Sequence, residues 1–118
     1  MSPGRYLGAW GLVARFAEPP MPRPWRLTRG IPATLPRSVN AVYIATDVAG
    51  TVRYVGSCRR GVTARLNEHV RQPSRARGWD GVWVIALRDD LPRVIVELCE
   101  GRVGRYLRPL DNVRLPRA

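Results

Sequence analysis

Five polar residues in this 118-residue chain are of types that do chemistry, and the sequence spaces them in small groups. Tyr43 and Tyr54 stand eleven positions apart in AVYIATDVAGTVRYVGS, each inside a run of apolar and β-branched residues. Arg65 and His69 stand four apart in GVTARLNEHVRQP, and Glu100 follows Cys99 in RVIVELCEGRVGRYLRPL. A phenol titrates near about 10 and acts as a base only where cations lower that value. An arginine is a permanent cation that forks onto oxyanions, and a lone carboxylate can hold a hard divalent cation. Such a set suits chemistry in which negative charge builds on oxygen and a proton moves beside it. Each residue also has an ordinary structural role. Tyrosines are common on strands, and an arginine and a histidine one helical turn apart often make a solvated face. Glu97 competes with Glu100 as the carboxylate of interest.

These residues fall on recognisable elements. Ala41 to Thr46 and Thr51 to Ser57 read as two strands joined by DVAG, whose Asp47 and Gly50 suit a tight turn. Val42 and Ile44 face one way and Tyr43 the other, while Val52, Tyr54 and Gly56 share a face opposite Val55. Both tyrosines can therefore share one face of a hairpin whose register the pattern leaves open. Val62, Leu66 and Val70 recur every fourth residue, predicting a helix opened by Gly61 and closed by Pro73. Arg65 and His69 flank its apolar stripe. VWVIAL (Val82 to Leu87) is apolar on both faces, as a covered central strand would be. Val96, Cys99, Val103 and Tyr106/Leu107 predict a last helix ended by Pro109. Gly101 and Gly104 weaken it by up to about 1 kcal/mol each relative to alanine. No internal repeat is present.

Residues 1–37 differ in character, with seven of the eleven prolines, six arginines and one acid, Glu18. Tyr6, Trp10 and Val13 have helical spacing, and EPPMPRPWRLTRGIPATLP is unsuited to regular structure. This segment is expected to be an Arg/Pro-rich N-terminal arm on the domain or on a ligand, or a flexible tail. The alternative is that Trp10, Phe16 and Trp25 pack on the domain. The apolar run Tyr6 to Ala14 is too short and too broken by Gly8 and Gly11 for an export signal.

Every one of the twenty basic residues is arginine, the net charge is +11 and the pI is about 11.4. Such a charge attracts polyanions, and nucleic acid is favoured over membrane because no long apolar span or basic amphipathic helix is present. Cys58 and Cys99 match no zinc spacing, and with one histidine they do not complete a four-ligand site without carboxylates. Free thiols in a reducing cytoplasm are expected.

AVY ten residues before YVG resembles the pair of tripeptides that names the GIY-YIG nuclease superfamily. ARLNEH resembles that family's helix with an arginine and a histidine four apart, and CEGRVGRYLRPLDN resembles its glutamate-bearing helix ending in proline and asparagine. The likeness spans roughly residues 38–116, with Ala41 in place of a glycine and valines in place of both isoleucines. It implies an α/β (α+β) domain over 38–118, with a three-stranded, mainly antiparallel sheet flanked by helices. It also implies a divalent-metal-dependent endonuclease that cuts one DNA strand per event, so that a double-strand break would need a dimer or two visits. Tyr43 would be the general base or a relay to it. Tyr54 would hydrogen-bond to the attacking water or the phosphate, and Arg65 would stabilise charge on the scissile phosphate. His69 would accept or position a proton, Glu100 would hold Mg²⁺ or Mn²⁺, and Asn112 would make a structural hydrogen bond. Arg53, Arg59, Arg60 and Arg71 are expected to contact nucleic acid. The alternatives are a non-catalytic nucleic-acid-binding module of the same fold and an RNA-directed nuclease.

Overall fold

A computed structural model describes residues 1–27, 38–70 and 78–111, with the backbone alone for 67–70. Its framework is an antiparallel α+β sheet of four strands in the order β1-β4-β2-β3: Trp25–Arg26 (β1), Ala41–Thr46 (β2), Val52–Cys58 (β3) and Gly81–Ala86 (β4). The helices are Pro3–Leu12 (α1), Val62–Val70 (α2) and Arg93–Leu107 (α3).

Alternation along the strands supplies two apolar faces, and each is covered. Val42, Ile44, Val55, Trp83 and Ile85 pack against Tyr6, Ala9 and Val13 of the N-terminal segment and Val96, Cys99, Val103 and Leu107 of α3. On the other face Ala41, Tyr43, Val82 and Val84 meet Val62 and Leu66 of α2. β2 is therefore buried along its whole length, and β4 nearly so. The hairpin between β2 and β3 closes as its composition requires. Asp47 accepts the Thr51 amide at 2.9 Å through its side chain, and Gly50 adopts φ +82°, a conformation that strains other residues.

Three expectations need correction. The sheet has a fourth strand, the two-residue β1, contributed by the proline-rich segment and paired Trp25 with Val82 and Arg26 with Gly81. Residues 1–27 are not a free tail: Trp10 and Phe16 pack against one core cluster and Trp25 against the other, as the alternative for this segment has it. Ser2 caps α1 by accepting the Arg5 amide, Pro3 follows it, and the helix buries Tyr6 and Ala9 completely. The Tyr6 hydroxyl donates to the Val84 carbonyl at 2.8 Å and accepts the Met21 amide at 3.3 Å, tying helix, sheet and connecting segment together. Lastly, Val52 lies on the Val55 side of the sheet and not with Tyr54. Ala45 pairs with Tyr54 but Thr46 pairs with Val52, so Arg53 is an extra bulge residue that reverses the alternation.

The C-terminal end of α3 turns at Arg108, which adopts φ 52° just before Pro109. The chain then returns along β3. The Leu110 amide bonds the Val52 carbonyl at 3.2 Å and the Asp111 amide bonds the Arg53 carbonyl at 2.6 Å. The first half of the exposed β3 edge is thereby covered.

Candidate active site

The two tyrosines meet on a diagonal of the hairpin. Tyr43 lies opposite Gly56 and Tyr54 opposite Ala45, so the rings lean toward each other across the position where Gly56 has no side chain. Their centroids are 6.1 Å apart with planes inclined by 22°, and Trp79 continues the aromatic row at 5.3 Å from Tyr54. A methyl group at Gly56 would stand 2.5 Å from Cζ of Tyr43 and 2.8 Å from Cε1 of Tyr54. Glycine is needed here for lack of space.

Two helices bring charge to this pair. Arg65, half-buried on α2, hydrogen-bonds the Tyr43 hydroxyl. Glu100, half-buried on α3, accepts hydrogen bonds from the side chain and backbone of Ser57 on β3. Arg65 lies close enough to act electrostatically on both Tyr43 and Glu100. α2 and α3 cover opposite faces of the sheet, and β3 is its edge strand, so their side chains converge at that edge.

Burial governs the protonation of both acids. It pushes the Tyr43 phenol well above the ordinary tyrosine range, assisted by the Tyr54 phenol; the attraction of Arg65 opposes this without overcoming it. Burial also raises Glu100 above the usual carboxylate range, against the pull of its Ser57 hydrogen bonds. Tyr43 is fully buried and Tyr54 half-buried, so of the two phenols Tyr54 stands nearer solvent. Arg65 pulls the Tyr43 phenol down, but burial outweighs it, so in the free protein Tyr43 is a poorer base than an exposed tyrosine.

Beside this group opens a cleft of about 350 Å³, lined by Ser57, Arg59, Arg60, Gly61, Arg65 and Arg93 among others. Arg59 and Arg60 are exposed and both line it. Arg53 is placed otherwise. Its guanidinium forms two bonds to Asp111, at 2.9 and 3.1 Å, with Asp47 3.9 Å away, and so ties the C-terminal segment to β3. Arg71 and Asn112 lie outside the described residues. His69 stands on α2 one turn after Arg65, and its side chain is likewise outside them.

Between the rival carboxylates, Glu97 pairs with Arg93 at 2.8 Å on the exposed side of α3, whereas Glu100 turns toward Ser57 and Arg65. Ser57 and Arg93 were not singled out by sequence. Ser57 directly follows the YVG tripeptide, a local signal for the first; nothing local marks Arg93, which reaches the cleft only through the packing of α3 on β3. Cys58 also lines the cleft, but burial pushes its thiol up to about 11, as expected of a packed cysteine. Both cysteines are free and buried. Among the described residues no three His, Cys, Asp or Glu side chains cluster as a metal site, and no helix is long and apolar enough to cross a membrane. No family model, curated protein or solved structure matches the chain.

Proposed function

We propose that the chain is a metal-dependent endonuclease that hydrolyses phosphodiester bonds in DNA. One observation carries the reading: Tyr43, Tyr54, Arg65 and Glu100, from four separate elements, meet at one sheet edge beside an arginine-lined cleft. The resemblance to GIY-YIG nucleases rests on the same residues. The net charge of +11 supplies the attraction to a polyanion.

In this reading Arg65 binds a non-bridging oxygen of the scissile phosphate and stabilises the charge that builds there. Tyr43, kept protonated by burial, hydrogen-bonds with Arg65 and acts as a positioning and relay group. The half-buried Tyr54 orients the attacking water. The donor set fits a hard divalent cation: Glu100 offers one carboxylate held in place by Ser57, and magnesium commonly binds through one or two carboxylates together with substrate phosphate. Bound there, Mg²⁺ or Mn²⁺ would supply Lewis-acid stabilisation of the phosphate. A cytoplasmic setting belongs to the same proposal.

Incubation with supercoiled plasmid, with and without Mg²⁺ or Mn²⁺, tests the reading. Metal-dependent nicking is expected, with Glu100→Ala inactive; full activity in that variant would transfer the metal role to Glu97. A second reading, a binding module without turnover, is favoured by the complete burial and raised pKa of Tyr43. Tight plasmid binding without nicking under any divalent cation would establish it. Competition with RNA separates a DNA from an RNA substrate.

A further inference from the structure

The arginine-lined cleft holds more positive charge than one scissile phosphate requires. Arg59, Arg60, Arg65 and Arg93 all line it, and among the described residues no acidic side chain does. Two of these cations also stand where the backbone is already positive. Arg65 lies in the first turn of α2, its amide bonded to the Gly61 carbonyl at 3.4 Å, and that turn holds no acidic residue. Arg93 is the first residue of α3, whose first turn also lacks an acid and whose cap, Pro92, provides no side-chain hydrogen bond. Helix N-termini present free amides and partial positive charge, so they favour acids and disfavour arginines. Two arginines at two such ends face one cleft, an arrangement that an entering anion would stabilise.

The cleft is also continuous with the Tyr43–Glu100 group. Arg65 belongs to both, and Ser57 lines the cleft while hydrogen-bonding Glu100. Arg93 pairs with Glu97 on the surface, their side chains 74% and 43% exposed. Such a pair contributes little and leaves the guanidinium available to a phosphate.

We propose that this cleft is a second phosphate subsite, binding the backbone phosphate next along the same strand from the one held at Arg65. The proposal rests on the nuclease reading only for the identity of the first subsite. At about 350 Å³ the cleft is at the small end of ligand sites, enough for a phosphate with part of its sugar and too small for a folded nucleic-acid element. Arg59, Arg60 and Arg93 then fix the position of the strand while Arg65 and Glu100 act on the bond to be cut. The smallest well-bound substrate thus carries two phosphates.

Calorimetric binding to the full chain in EDTA separates the possibilities, using thymidine 3′,5′-bisphosphate, thymidine 5′-monophosphate and inorganic phosphate as probes. The bisphosphate should bind about tenfold or more tightly than the monophosphate, the increment of an added charge-assisted contact. Arg60→Ala and Arg93→Ala, both changes at exposed side chains, should each erase that preference, whereas Glu100→Gln should retain it. Equal affinity for the two nucleotides overturns the proposal, as does a preference that survives both arginine variants. Inorganic phosphate binding as tightly as the bisphosphate would assign the cleft to a free anion and overturn it too. Plasmid nicking is scored separately. A preference without nicking removes the nuclease reading and keeps the subsite, and nicking without a preference does the reverse.

Discussion

Gly56→Ala is the sharpest probe of the tyrosine pair, because the consequence can be worked from distances. The new methyl carbon would lie 2.5 Å from Cζ of Tyr43 and 2.8 Å from Cε1 of Tyr54. Non-bonded carbons rest at about 3.5–4.0 Å, so the rings must retreat by roughly 1 Å. Tyr43 is 0% exposed and is bonded to Arg65, so the ring has no open space to move into. Overpacking of this kind costs about 1–3 kcal/mol. For a domain of this size that corresponds to a fall in Tm of roughly 4–15 °C. If the pair serves the proposed cleavage, displacing it by that distance should also slow nicking by about 10²-fold. Thermal melts give the first quantity. Nicking rates taken far below the melting range of the variant give the second, free of any unfolded fraction. A Tyr43→Leu background separates the partners: if the clash is with the Tyr43 ring, the cost of Gly56→Ala should shrink there. A Gly56→Ala protein that melts and cleaves like the parent would refute the packing argument. An equal cost in both backgrounds would place the clash elsewhere.

Other outcomes follow from the same contacts. Glu100→Gln should abolish cleavage yet raise Tm at neutral pH. Burial lifts the Glu100 pKa above its ordinary 4.5, so the folded state holds the proton more strongly than the unfolded one. Its contribution to stability is present below that value and is lost as pH rises through the raised folded pKa, so the two proteins should melt alike in acid and diverge toward neutrality. Tyr6→Phe removes hydrogen bonds to Val84 and Met21 and should cost about 1–3 kcal/mol, read by urea unfolding, with the nicking rate unchanged at low denaturant. Arg53→Ala should lower Tm by releasing Asp111 while leaving the salt dependence of DNA binding intact; a flatter salt slope would return Arg53 to the nucleic-acid contacts.

The elements that the sequence made visible are those whose burial repeats with a local period. β2, β3 and β4 show alternation or a continuous apolar run, and α2 and α3 show the three-to-four spacing, so all five lie within a residue or two of expectation. β1 was invisible for a physical reason. Trp25–Arg26 is two residues long among prolines, and it is a strand only because β4, more than fifty residues on, offers it hydrogen bonds. The side-chain direction of Val52 was missed because the bulge at Arg53 reverses the face, and a bulge leaves no mark on alternation until the partner register is known. Arg53 itself looked like one more phosphate contact. Its carboxylate partner is 58 positions away, and no local pattern reports a pairing of that range.

For the site, residue types were legible and electrostatics were not. Tyr43, Arg65 and Glu100 could be picked out one by one, but the sign of the Tyr43 and Glu100 pKa shifts depends on how deeply each is buried. In an exposed setting Arg65 would have lowered the Tyr43 phenol; under the packing of α2 on the sheet, desolvation prevails. The same packing explains why the site stands where it does. The first half of the β3 edge is occupied by Leu110 and Asp111, whereas Ser57, near its other end, faces Glu100 and the cleft. At that end the structure keeps a half-buried carboxylate with a raised pKa and arginines at two helix N-termini, each locally unfavourable. These features lie together around one cleft, where the proposed binding of an anion and a cation would offset their cost.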